Sequence, residues 1–206
     1  MWFDILALIS LIAVVSQLRR LVNLFPSLMA CIIRWKENVN LQLSLKMRTD
    51  RDILAFSLFI PLCLVVFRFR IYCPGFMSGM PDTPRMWATI GIITAYTLLR
   101  MACKFLFRMR STPESVYRAA TDSIRTYLIT LTLLLITAGG IASFFGSPLG
   151  PVKNAMFWIS GTIYTLFILR KTQIFLSSCN FFVSFLYLCA LEILPTGVLI
   201  ASAVIF

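Results

Sequence analysis

The run TYLITLTLLLITAGGIASFF, residues 126–145, decides the class of this chain, because twenty consecutive residues carry no charge. As an α-helix it rises about 30 Å, the depth of a bilayer's hydrocarbon core. Working outward, apolar stretches recur at 2–18, 53–72, 86–101, 154–169 and 172–194. The 206 residues are 59% hydrophobic with a mean hydropathy of +0.88, and the aqueous segments between the stretches are too short to bury a second core. The expected fold is all-α, a polytopic helical membrane bundle of about six transmembrane helices. One integral membrane domain is expected over 1–206.

The basic residues fall on alternate connectors. Segments 19–52, 100–125 and 170–171 carry 15 of the 19 Lys and Arg residues, whereas 68–85 and 146–153 carry the other four. Membrane insertion retains Lys and Arg on the cytoplasmic side, so the pattern predicts both chain ends outside. It also explains the net charge of +11 better than nucleic-acid binding does, because the bases cluster beside apolar spans rather than along one polar face. No nucleic-acid partner is expected; anionic lipid headgroups on the cytoplasmic side are. Arg19 and Arg20 follow the first apolar stretch, the reverse of a cleavable secretory signal, so that stretch is expected to stay as a span.

Local signals refine the path. Pro61 is expected to kink the second span, because proline removes a backbone donor and crowds the preceding turn. Residues 73–84 hold three prolines and two glycines and read as an outside loop. The third span extends as helix toward Phe107, placing Arg100, Lys104 and Arg108 on one face. Ser-Thr-Pro-Glu at 111–114 has the composition of a helix start. Gly139 and Gly140, with Ala142 and Ser143, offer a small-residue packing surface. Residues 170–171 read as a tight inner turn of a helical hairpin. From 172 to 206 the only charge is Glu192, and one straight helix would run about 52 Å. A span to about Leu194, a break at Pro195 and a short apolar tail at the outer interface are therefore expected.

The 19–52 connector is expected at the cytoplasmic interface. Its first half, 21–35, suits a short amphipathic helix. Its second half alternates Val39, Leu41, Leu43, Leu45 and Met47 with Asn40, Gln42, Ser44, Lys46 and Arg48, which is a strand period. A lone strand would need a partner protein's sheet edge, making Val39, Leu41, Leu43 and Leu45 candidate partner-binding residues. The plainer reading, a short interfacial helix or irregular loop, is preferred.

Chemistry is constrained by what is missing. Histidine is absent, which removes the commonest general base, the commonest metal ligand and every Ser-His or Cys-His arrangement. No Gly-rich phosphate loop is present, and no lysine is expected deep in the bundle. Catalytic residues, metal ligands and cofactors are not expected, nor is a disulfide framework from six cysteines without a CxxC pair. Asp50 and Asp52 lie among bases and read as ion pairs. Glu192 lies 21 residues beyond Lys171, about 31 Å along a helix, which puts it near the outer headgroups. There a structural ion pair with Arg68, Arg70 or Arg85 is expected.

Residues 185–195, Phe-Leu-Tyr-Leu-Cys-Ala-Leu-Glu-Ile-Leu-Pro, resemble the closing signature YLC-x-LE-x-x-P of a domain-of-unknown-function family of small polytopic bacterial inner-membrane proteins. The signature falls on Tyr187, Leu188, Cys189, Leu191, Glu192 and Pro195. The resemblance implies a bacterial inner-membrane location and brings no activity with it. The expected role is a non-enzymatic accessory or scaffold subunit of a membrane protein assembly, with other membrane proteins as partners. The alternative is a small solute or ion transporter or channel, its path lined by Glu192, Arg100 and Lys104 and shaped by breaks at Pro61 and Gly139-Gly140.

Overall fold

The computed structural model describes residues 2–106, 114–177 and 181–205. Arg108, Cys179 and residues 111–113 of the expected helix start lie outside them. Among the described residues there is no strand. Four helical segments are long and apolar enough to cross a membrane, and a fifth is formed if one bent pair counts as a single span.

That bent pair is α1 (Trp2–Ser16) and α2 (Leu18–Ile33), which meet at Gln17 with a 68° change of direction. Most of α1 stays exposed, and Ser10 is its one buried residue among those described. In contrast, α2 has two faces. Leu24 and Leu28 are buried against α4 and α7 and Cys31 is buried as well, while Val22 and Phe25 face outward. This agrees with the amphipathic helix expected over 21–35.

The carboxyl end of α2 is unusually well satisfied. Helices leave their last four carbonyls without intrahelical partners. Here the Arg34 amide donates to the Ala30 carbonyl at 2.8 Å and Asn38 donates to that of Cys31 at 3.1 Å. Arg170 donates to the carbonyls of Ile32 and Ile33 at 3.0 and 2.8 Å.

The alternating segment is helical. It forms the end of α3 (Trp35–Leu43) and the start of α4 (Leu45–Ser57), with Ser44 extended between them. An isolated strand would leave its amides unpaired, and two short helices satisfy them locally. Consequently Val39, Leu41, Leu43 and Leu45 do not share a face. Leu41 is buried and Val39 half-buried, whereas Leu43 and Leu45 are 70% and 79% exposed. The proposed sheet-edge contact is thereby corrected.

The second apolar stretch is not one helix. α4 ends at Ser57 and α5 (Phe59–Arg68) resumes after Leu58. Pro61 sits in the first turn of α5, where its missing donor does least harm, and the break falls just before it. After a single 3-10 turn at Gly75–Met77, α6 (Asp82–Leu106) runs through the stretch expected as the third span. α7 (Glu114–Phe144) joins the expected cytoplasmic helix to the charge-free run, giving 31 residues and a length of about 46 Å. It is the centre of the bundle, packing on α2, α3, α4, α5 and, most extensively, α8.

Two expectations about the carboxyl-terminal third fail. α8 (Leu149–Leu176) continues straight through 170–171, which hold neither Gly nor Pro, so the turn comes later in the chain. α9 (Phe181–Leu188) leads through one π turn, Cys189–Ile193, into α10 (Leu194–Ile205). Pro195 does not end the helix. A proline clashes with the carbonyl four residues back, here Leu191, and that residue lies in the widened π turn. α10 packs on α6 rather than forming a detached tail, and Ser202 is hydrogen-bonded to the Tyr72 hydroxyl at 2.6 Å.

Gly139 and Gly140 divide the expected small-residue surface. A Cβ on Gly139 would stand 2.7 Å from the Phe69 ring, whereas one on Gly140 would meet nothing within 4 Å. The close approach serves two side chains, the Phe69 ring and the Met156 methyl group of α8 at 3.1 Å, not a second helix backbone.

Candidate functional site

Three elements converge on Glu192. α6 brings Tyr96, Arg100 and Lys104, each four residues from the last, so all three occupy one face. α8 brings Tyr164, Phe167, Lys171 and Phe175 at spacings of three and four. The π turn carries Glu192 itself, and Thr196 follows one turn later in α10.

Glu192 is 1% exposed, as is Lys171. One carboxylate oxygen, Oε2, accepts from Arg100 Nη2, and the other, Oε1, accepts from Lys171 Nζ. A buried Lys171 and a half-buried Arg100 against one buried anion leave an excess positive charge, which is costly away from water. Ring faces offset part of that cost. The Arg100 guanidinium lies 5.5 Å from the Phe167 centroid and 5.9 Å from that of Tyr96. The Lys171 ammonium lies 5.7 and 5.8 Å from Phe167 and Phe175. Such contacts contribute about 0.5–2 kcal/mol each as they become desolvated. Hydroxyl groups flank the cluster. Tyr164 lies within hydrogen-bonding distance of the Glu192 carbonyl, 3.2 Å, and of Thr196 Oγ1, 2.9 Å; Tyr96 reaches the same threonine at 3.1 Å.

One turn further along α6 a second network begins. Lys104 pairs with Asp122 at 2.9 Å, and Gln42 donates to the other Asp122 oxygen at 3.0 Å. Gln42 in turn accepts from Arg51 at 3.1 Å, and Arg51 and Arg125 share Asp52 at 3.0 and 2.5 Å. Asp50 pairs with Arg20 at 3.6 Å, so both aspartates of that segment sit in ion pairs, as the sequence suggests.

The expected pairing of Glu192 with Arg68, Arg70 or Arg85 is corrected. Arg85 bonds Asp82 and stacks on Phe67 at 5.4 Å, and Arg68 and Arg70 are exposed. Arg100 lies 15 residues beyond Arg85 on α6, about 22 Å toward the other end. The expectation that no lysine lies deep in the bundle fails with it, because Lys171 is buried inside α8. Both errors share one cause. Placing the turn at 170–171 put Lys171 at the start of Glu192's own helix, when the two residues face each other across a hairpin. The helical spacing of Arg100 with Lys104, and of Tyr164, Phe167, Lys171 and Phe175, was the available signal.

A sequence model described as "Domain of unknown function (DUF4271)" matches residues 4–202, so the chain belongs to that family. Comparison with curated proteins and with solved structures gave no match.

Proposed function

From a helical membrane chain of this family, we propose a non-enzymatic, multi-pass protein of the bacterial inner membrane that acts as an accessory or scaffold subunit of a membrane protein assembly. The observation that carries this reading is the closure of the Glu192 cluster. Each carboxylate oxygen is taken by a cation from a different helix, and the cations are covered by rings. A group that binds cargo or moves protons has to be free to change partner; this one serves as a clamp joining α6, α8 and the α9–α10 helix. The exposed apolar length of α1 supports a protein or lipid neighbour along that side.

The same reading places six crossings, with α1, the α4–α5 pair, α6, α7, α8 and the α9–α10 helix each crossing once and both ends outside. Contacts of Tyr72 with Ser202 at one end, and of Lys104 with Asp122 at the other, are consistent with that order. Partners are other membrane proteins and, at the basic end, anionic lipids. Purification from native membranes in mild detergent tests the proposal: a stoichiometric protein partner that recurs across preparations is expected. A clean monomer argues against it.

One observation favours a transport reading. A π turn bearing a buried carboxylate, next to the hydroxyls of Tyr96, Tyr164 and Thr196, resembles the broken helices on which transporters build ion sites. Proton or solute flux in proteoliposomes, abolished by Glu192→Gln in a folded protein, would decide for it.

A further inference from the structure

The outward face of α4 carries a groove of about 500 Å³ lined by Leu45, Arg48, Thr49, Asp52, Ile53 and Phe56. Residues at these three- and four-residue spacings lie on one side of the helix. Polar groups, Arg48, Thr49 and Asp52, occupy its middle, between Leu45 at the end nearer Ser44 and Ile53 and Phe56 at the end that leads into the apolar α5.

Asp52 is compensated by Arg51 and Arg125, and the neighbouring Asp50 is taken by Arg20. Among the described residues no carboxylate oxygen lies within 4.0 Å of the Arg48 guanidinium or the Lys46 ammonium. The polar stretch around Arg48 is therefore positive. The large apolar side chains beside it stay uncovered, Leu45 at 79% exposed and Phe56 at 83%. A soluble acidic peptide would match the charge and leave Phe56 bare, and a neutral lipid would cover Phe56 and leave the bases unmatched.

We propose that this groove holds one anionic phospholipid, its phosphate against Arg48 and an acyl chain along Ile53 and Phe56. The inference requires membrane residence and does not depend on the scaffold role. Delipidated protein in a neutral detergent would be titrated with phosphatidylglycerol, phosphatidylcholine or inorganic phosphate, and bound lipid counted by native mass spectrometry alongside thermal unfolding. Phosphatidylglycerol is expected to bind and raise Tm, with phosphatidylcholine and phosphate having little effect. Arg48→Gln should weaken phosphatidylglycerol at least tenfold, Phe56→Ser should weaken it several-fold, and Arg34→Gln, at another unpaired base outside the groove, should leave it unchanged. No phosphatidylglycerol effect in the unmodified protein would overturn the site, as would equal binding of phosphatidylcholine. An effect reproduced by phosphate alone would reduce it to an anion site without the lipid. Equal losses in Arg48→Gln and Arg34→Gln would assign the attraction to the general basic surface. Mass spectrometry keeps the variants readable even if a substitution lowers Tm by itself.

Discussion

Replacing Glu192 with Gln removes the only negative charge from the buried cluster while keeping the side chain's size. Arg100 and Lys171 would then face each other as like charges, Lys171 with 1% of its side chain exposed and Arg100 with 14%. Breaking a buried pair by removing one partner costs about 3–5 kcal/mol, because the remaining charge stays uncompensated. At about 1.4 kcal/mol per decade, the unfolded population should rise from roughly a hundredfold to a few thousandfold. Lys171→Met should be far milder, about 0–2 kcal/mol, since it leaves a balanced Arg100–Glu192 pair and puts an apolar chain between Phe167 and Phe175. The double variant should be less damaging than the two single costs combined, by about 1–3 kcal/mol of coupling. Reversible unfolding in mixed micelles measures all three. A Glu192→Gln variant within about 1 kcal/mol of the parent, or strictly additive costs, would refute the clamp.

Three further outcomes are expected. Arg170→Leu should destabilise by about 1.5–3 kcal/mol by stripping the carbonyls of Ile32 and Ile33 of a charged donor, with faster amide exchange at the α2–α3 junction and incomplete rescue by Lys, which lacks the fork. Leu41→Ala should cost about 2–5 kcal/mol in chemical unfolding, whereas Leu43→Ala should stay within about 0.5, a difference that a shared strand face would not produce. Gly140→Ala should stabilise by up to about 1 kcal/mol through helix propensity, while Gly139→Ala should lose that gain or reverse it by pushing the Phe69 ring; equal effects in thermal scans would contradict the packing.

Residence in a membrane was written in the sequence because it depends on local composition. A charge-free run of twenty residues is apolar whatever it packs against, and the alternation of basic connectors needs no partner to be read. The amphipathic α2 and the helical extension of α6 toward Leu106 were legible for the same reason, since periodicity is a property of the segment itself. Residues 39–48 carried a strand period that only the absence of a second strand could overrule, so pairing decided their helical form. The Glu192 cluster needed the fold outright. Its three charges are 71 and 21 residues apart along the chain, and they meet because α8 runs past Lys171 before it turns and because the π turn lets the chain pass Pro195. Hydrophobicity sets how many stretches enter the membrane. Which buried charges meet there depends on where each helix ends, and an end displaced by one or two turns moves a side chain about 5–10 Å along its axis.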